Sequence, residues 1–119
     1  MSPSNSIEKL LDGLKNDSDI TDATVISRSG MHIAGNVPEN VHRETFVAMS
    51  AILLGAAETA TSELREKLSH VTIDLKNTYI LILNCGSKAL LALKMPKKGD
   101  VDKVISQAYE IINKIEDNL

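Results

Sequence analysis

Apolar residues recur along the chain with two different periods, and the changes between them divide it into eight predicted elements. The first has the helical spacing of about 3.6 residues. It predicts a short amphipathic helix that ends near Asn16-Asp17. Asn5 stands three residues before Glu8, which resembles a capping box and places the start of the helix near Asn5. Its apolar positions are Ile7, Leu10, Leu11 and Leu14. The residues before it, 1–4, have no period and predict a flexible tail.

Two short strands follow, "DATVISRS" and "MHIAG", joined by a turn at Arg28-Ser29-Gly30. A glycine beside a basic residue is compatible with an anion-binding loop. Such loops usually lead into the N-terminus of a helix, whereas this turn leads into a strand. We therefore predict a hairpin in which Gly30 supplies a backbone conformation that other residues resist. Arg28 is the one residue of this turn that we predict as a candidate for contact with a partner.

After the two strands, the pattern predicts a long helix, three further strands and a final helix. The segment Val41–Lys67 has neither a proline nor a turn cluster, which predicts a helix of about 25 residues, with Asn40 as its candidate cap. "HVTIDLK" alternates as a half-buried strand, while "TYILILN" and "KALLALKM" are apolar on both faces. Asp100 caps the last helix. Short connections and two-faced strands predict one three-layer α/β domain over residues 5–119.

The long helix has apolar residues on two opposite sides. The larger stripe is predicted to face the sheet and consists of Phe46, Met49, Leu53, Ala56, Ala57, Ala60, Leu64 and Leu68. The second stripe consists of Val47, Ala51 and Leu54, continued by Glu58 and Arg65. An apolar stripe needs a cover, and the other two helices are needed on the opposite face of the sheet. This predicts a homodimer in which two such helices meet around Ala51 and Gly55; the alternative is a monomer with a few exposed aliphatic residues.

The element order resembles the Roadblock family. "ATVISRSGMHIAG" precedes an alanine-rich helix and "VTIDLKNTYILILNCGSKALLALKM" follows it, so the resemblance covers the chain from about Ile7 to Ile115. It implies a profilin-like, five-stranded antiparallel sheet with the long helix on one face and the terminal helices on the other. The resemblance also implies dimerisation through the third strand and the long helix. The family, which includes dynein light chains, serves as non-catalytic platforms for small Ras-like GTPases. Where it often has Asp before the turn glycine, this chain has Arg28-Ser29.

Composition and charge narrow the function classes. A hydrophobic content of 43% against 24% charged residues is typical of a globular protein, and a net charge of −3 disfavours a nucleic-acid partner. A single cysteine, Cys85, excludes an internal disulfide and a cysteine-rich metal site. The N-terminus lacks a signal peptide, and no apolar run reaches the length of a membrane span. We therefore expect a cytoplasmic protein without membrane insertion.

Catalytic patterns are missing from the sequence. There is no phosphate-binding G-x-x-x-x-G-K-[ST] loop, since Gly86-Ser87-Lys88 has the wrong order and sits in a hairpin. The three histidines lack metal-ligand spacing, and Cys85 is predicted to be a structural thiol. The basic turn at Pro96–Asp100 is compatible with an anion site, but plain surface is the simpler interpretation. Nothing singles out Arg28, Arg43 or Arg65 as an arginine finger. We expect no enzyme activity, cofactor or metal.

Together with the Roadblock resemblance, which implies the GTPase partner, these observations predict a non-catalytic homodimeric binding or scaffold module for a small Ras-like GTPase, in which any regulation acts through binding. The alternatives are a small-molecule ligand sensor and a structural subunit of a larger complex. The predicted dimer and partner interface consists of Arg43, Val47, Ala51, Leu54, Gly55, Glu58 and Arg65 on the helix, with Val71, Ile73 and Leu75 on the third strand.

Overall fold

The computed structural model describes residues 3–119, and the side chains from Asn5 onward. Within this range the chain has the predicted order of helices and strands. The elements are α1 Pro3–Asp17, β1 Asp22–Ser27, β2 His32–Gly35, α2 Arg43–Thr61, β3 His70–Asp74, β4 Thr78–Cys85, β5 Ala89–Pro96 and α3 Val101–Asp117, with a 3-10 turn Ser62–Leu64 after α2.

Several predicted boundaries are wrong. Helix α1 begins at Pro3, so Asn5 lies inside the helix rather than at its cap. A proline is tolerated in the first turn because its missing N–H has no partner there. The predicted tail therefore loses residues 3 and 4 to the helix, and its residues 1 and 2 lie outside the described part of the chain.

The long helix is shorter than predicted at both ends. Its N-cap is His42 rather than Asn40. Asn40 lies in the preceding loop with a left-handed φ of 65°. At the other end, the Thr61 hydroxyl donates to the carbonyl of Ala57 at 2.8 Å, and the Ser62 hydroxyl donates to that of Thr59 at 2.9 Å. Hydroxyls that bond back to the preceding turn weaken a helix, and a 3-10 turn replaces it from Ser62.

The five strands form one antiparallel sheet in the order β2-β1-β5-β4-β3. Alternate residues of β4 point to opposite faces, which separates two apolar cores. Leu81 and Leu83 face α1 and α3, whereas Ile80 and Ile82 face α2. The three-layer fold is therefore confirmed, with α2 alone on one side and the terminal helices on the other.

The stretch at Arg28-Ser29-Gly30 is a hairpin turn, as predicted. Gly30 has a φ of 91°, and its N–H donates to the carbonyl of Ser27 at 2.9 Å. A Cβ on Gly30 would lie 3.1 Å from the Cα of Ala48, so the turn also packs closely against α2. The glycine serves both the backbone conformation and this close approach.

Candidate protein-binding surface

Helix α2 packs against the sheet with the stripe that contains Val47 and Leu54, which the sequence prediction had assigned to a partner. Its buried residues are Val47, Ser50 and Leu54, which are 3%, 6% and 0% exposed. The predicted assignment of the two stripes is therefore wrong. The first half of α2 is apolar nearly all round, and apolar content alone does not set the rotation of such a helix.

Most of the other stripe of α2 lies at the surface, while Phe46 at its start is half-buried against the core. Met49 is 54% exposed and Leu53 is 38% exposed. We call five residues of this stripe the α2 seam; they are Phe46, Met49, Leu53, Ala56 and Ala60. Successive members are three and four residues apart, which is the spacing of the seam along which two helices pack in a coiled coil. Helix α2 thus has one apolar side on the sheet and a second side without a cover in this chain.

The edge strand β3 lies beside the α2 seam. Val71 and Ile73 are half-buried against the α2 side of the sheet, and Leu75 is 46% exposed. A mostly apolar cleft of about 500 Å³ separates the seam from this strand. Its lining includes Phe46, Met49, Leu53, Ile73, Leu75 and Ile80. The seam, the cleft and β3 form one continuous apolar surface.

The two edges of the sheet differ in their backbone hydrogen bonds. Gly35 lies opposite Thr24 on β1, and the neighbouring Asn36 N–H donates to the carbonyl of Ala23 at 2.9 Å. The N–H and C=O of Gly35 therefore point to the open side of β2. Its N–H donates to Glu8 Oε1 at 2.6 Å, and its carbonyl lies 2.8 Å from His32 Nε2. Occupied edge groups cannot pair with another strand, which leaves β3 as the better edge for pairing.

The predicted interface residues are only partly brought together. Val47 and Leu54 belong to the core, Ala51 packs partly against it, and Glu58 pairs with Arg28. Gly55 is half-buried, and a Cβ there would have no atom within 4 Å, so close helix packing at Gly55 is not seen in this chain. Exposed or half-buried positions remain at Arg43, Arg65, Val71, Ile73 and Leu75. The sequence reasoning missed Met49, Ile52 and Leu53 as surface residues.

Comparison with known proteins gives the family. A family model described as the Roadblock/LC7 domain matches residues 6–95 of the chain. The chain belongs to the Roadblock/LC7 family. No relative matches in a comparison with curated protein sequences.

Solved structures share the Roadblock/LC7 fold with this chain. MglB in a tetrameric arrangement has a TM-score of 0.88 at 16% identity, over 99% of this chain and 90% of that chain. The gliding protein MglB from Thermus thermophilus has a TM-score of 0.87 at 16% identity, over 99% and 91%. A profilin from Schizosaccharomyces pombe has a TM-score of 0.68 at 11% identity, over 91% and 94%. These values confirm the profilin-like Roadblock fold.

In this Roadblock/LC7 domain, Arg28 holds the first hairpin to α2. Its guanidinium forms an ion pair with Glu58, and the two side chains are 29% and 33% exposed. Atom Nη1 of Arg28 is buried and has no hydrogen-bond partner among the described residues. Glu58 follows Leu54 by one helical turn and so lies on the same side of α2, and the pair therefore adds a contact that holds this side towards the hairpin and the sheet. It also occupies Arg28 within its own chain, so a partner contact by this residue requires the pair to open.

Replacing Glu58 with alanine is expected to lower the free energy of unfolding by about 1–3 kcal/mol, because the partly buried Arg28 charge then loses its partner. Denaturant unfolding followed by circular dichroism measures this loss. Glu63→Ala is the matched control, since Glu63 is exposed in the turn after α2. Equal, small effects of both substitutions would contradict a structural role for the ion pair.

Cys85 is a buried thiol at the end of β4, as predicted. It is 0% exposed, and its Sγ lies 3.7 Å from the carbonyl oxygen of Ile112. Burial, and secondarily the negative charge of Glu116, raises the pKa of the thiol from 9.0 to about 12. The thiolate is the nucleophilic form of cysteine, so this residue is unreactive in the folded protein.

Cys85 is therefore expected to resist thiol-specific reagents at pH 8 in the native state and to react fully in denaturant. The folded thiol stays protonated at pH values where an unfolded one ionises, so stability should fall as the pH rises from about 9 towards 12. Time-resolved labelling with a chromogenic disulfide measures the first effect. Rapid labelling of the folded protein would show that the β4 end is open to solvent.

The turn at Pro96–Asp100 is occupied by contacts within the chain. The Asp100 carboxylate accepts a hydrogen bond from the Lys103 N–H at 3.2 Å, which caps α3. Lys97 forms an ion pair with Asp74 on the β3 side of the sheet. A carboxylate already lies at the helix N-terminus, which disfavours the anion site considered from the sequence. Among residues 3–119, no group of three metal-ligating side chains comes together.

By length and composition alone, the segment Arg43–Leu64 is apolar enough to cross a membrane. In the Roadblock/LC7 fold this segment is α2 with its 3-10 turn, and Val47 and Leu54 pack against the sheet. Its apolar character therefore has a structural use on the sheet side. The large apolar residues of this segment that are exposed are Met49, Ile52, Leu53 and Leu64.

Proposed function

We propose that this chain is a non-catalytic homodimeric module that binds a small Ras-like GTPase. The observation that carries the proposal is the uncovered α2 seam beside the open edge of β3. Both features call for the same kind of cover, namely an apolar helix next to a strand, and a second copy of the chain supplies both. We place this module in the cytoplasm, where a reducing environment suits its one free thiol.

The residue sizes along the α2 seam support pairing with a second copy. Large side chains lie in its first half, at Phe46, Met49 and Leu53, and alanines lie in its second half, at Ala56 and Ala60. In an antiparallel pair, the first half of one helix meets the second half of the other. Large residues then pack against small ones, which is the complementarity that close packing requires. Leu64, which is 64% exposed in the 3-10 turn after α2, would lie near the other copy's cleft.

A GTPase partner is proposed from the family. The chain belongs to the Roadblock/LC7 family, its fold neighbours include MglB and MglC proteins, and the Roadblock resemblance implies a Ras-like GTPase partner. Ile52 supports a docking face on α2. It is 59% exposed and lies on the side of the helix turned away from the sheet, where the proposed dimer leaves it uncovered. Together with Met49 and Leu53, Ile52 forms a contiguous exposed apolar patch in the single chain, and patches of this kind mark protein-binding surfaces.

Binding of Ras-like GTPases tests this proposal. Each GTPase from the source organism, loaded with GDP or a non-hydrolysable GTP analogue, is passed over the immobilised protein. We expect saturable binding to one of them, a loss of at least about tenfold in affinity for Ile52→Asp, and no change for Ser106→Asp, an exposed position on α3. Indifference of the wild-type protein to every GTPase in both nucleotide states would exclude this function and leave a scaffold subunit.

A ligand sensor is the second candidate, and the cleft beside the α2 seam favours it. Its volume of about 500 Å³ lies within the range of small-molecule sites. Its lining also includes polar groups at Glu39, His42 and Lys94. The dimer and an apolar ligand would compete for this cleft. A sensor would bind an apolar fluorophore as a wild-type dimer, whereas a cleft filled by a second copy would bind it only after dissociation.

A further inference from the structure

The cleft between the α2 seam and β3 contains three side chains whose hydrogen-bond donors have no partner within residues 5–119. Ser50 is only 6% exposed and lines the cleft from the α2 side. Thr78 and Lys94 line it from the sheet side, on the neighbouring strands β4 and β5. A buried hydroxyl without a partner costs free energy, so the cleft favours an occupant that supplies a hydrogen-bond acceptor.

Lys94 supplies a positive charge at one end of this cleft. Its partner across the sheet is Ile80, whose side chain packs in the core beneath α2. Residues directly opposite each other in an antiparallel pair point to the same face, so the Lys94 side chain lies on the α2 side. It is half-buried there and forms no ion pair with a described residue. A partly buried ammonium group beside an apolar wall attracts an anion more strongly than an exposed one does.

Two nearby carboxylates limit the charge that this anion can carry. Asp22 and Glu39 line a smaller neighbouring cavity together with Lys94. Their negative charges repel an occupant with two charges more than an occupant with one. A carboxylate, which carries a single charge, matches this surrounding. A phosphate monoester carries about −1.5 to −2 charges at pH 7 and matches it poorly.

We propose that the cleft binds an aliphatic monocarboxylate, with the carboxylate at Lys94 and the chain between α2 and β3. This inference deepens the ligand-sensor candidate by naming the class of ligand, and it rests on the same cleft. The walls beyond Lys94 are mostly apolar, and the volume of about 500 Å³ accommodates a chain of this kind. Among the described apolar lining residues only Phe46 is aromatic, so the cleft offers little stacking to a planar ligand.

Calorimetric titration with decanoate and with decanol, its uncharged counterpart, tests the role of Lys94. The full chain carries Ala56→Asp, an exposed position of the α2 seam outside the cleft, which opposes dimerisation and keeps the cleft open. In this background decanoate should bind once per chain and more tightly than decanol. Lys94→Met should weaken the binding of decanoate at least about tenfold and leave that of decanol unchanged. Lys98→Met, exposed in the turn before α3, is the matched control and should change neither.

Two further comparisons test the depth of the site in the same background. Ser50→Ala should weaken the binding of decanoate about threefold, because the acid loses one hydrogen-bond donor. Decanoate should bind about 15-fold more tightly than octanoate, since two more methylene groups leave water. Equal affinities of octanoate and decanoate would show that the chain stays outside the cleft and would overturn the inference.

The outcomes separate this inference from the proposed homodimer. If the folded Ala56→Asp protein binds no decanoate, the inference is overturned and the homodimer is unaffected. An equal loss of decanoate and decanol in Lys94→Met would also overturn it, because the carboxylate would then not be held by the ammonium group. A wild-type monomer in sedimentation velocity that binds decanoate through Lys94 would overturn the homodimer and support this inference. Circular dichroism checks that each variant is folded before it is titrated.

Discussion

Replacing Leu54 with alanine is expected to lower the free energy of unfolding by about 2–5 kcal/mol. Leu54 is 0% exposed and packs between α2 and the sheet, in the core that contains Ile80 and Ile82. The substitution removes three buried carbon atoms and leaves a cavity that rigid strands cannot close. Denaturant unfolding, monitored by circular dichroism at a fixed protein concentration, measures the loss.

The matched control for Leu54→Ala is Ile52→Ala, two positions away on the same helix. Ile52 is 59% exposed, so its truncation should change the free energy of unfolding by no more than about 0.5 kcal/mol. The sequence projection alone, with Leu54 on the outward side, predicts a small loss for Leu54→Ala. A cost for Leu54→Ala no greater than that for Ile52→Ala would therefore show that α2 is rotated away from the orientation described above.

Replacing Leu53 with aspartate is expected to weaken the proposed dimer by at least about 100-fold, because each subunit then brings an unpaired charge into the interface. Leu53 lies in the α2 seam and is 38% exposed, so the isolated subunit tolerates the change. Sedimentation velocity over a dilution series measures the dissociation constant, and an unchanged circular dichroism spectrum shows that the fold is kept.

Ser106→Asp adds the same charge at an exposed position on α3 and serves as the control for Leu53→Asp. It should leave the dissociation constant unchanged. If Leu53→Asp and Ser106→Asp dissociate to the same extent, the α2 seam is not the contact surface and the apolar stripe has another use.

The order of elements was predictable because each transition changes the period of apolar residues. The strands β4 and β5 are apolar on both faces, and this feature alone required helices on both sides of the sheet. The hairpin at Gly30 was also predictable, since no helix follows its turn. These features depend on the spacing of apolar and turn residues that are close together in the chain, and this spacing can be read directly from one sequence.

The rotation of α2 was not predictable from spacing, because the first half of this helix is apolar on two sides. Its rotation depends on contacts between distant residues, which include the packing of Val47 and Leu54 on the sheet and the ion pair of Arg28 with Glu58, 30 positions apart. Ser50 adds to the difficulty, since a buried serine on the sheet side looks polar in a projection. The stripe of α2 that the sequence assigned to a partner is consequently buried, and the candidate surface described above uses the other stripe together with β3, the strand that the family resemblance had suggested.

The mass of the wild-type protein in solution tests the central claim most directly. Sedimentation equilibrium at micromolar concentrations should give twice the chain mass of 12.9 kDa, because in the proposed homodimer a second copy covers the α2 seam and the β3 edge. A single species of 12.9 kDa throughout the concentration range would contradict the account, since the apolar surface would then stand uncovered in a stable monomer.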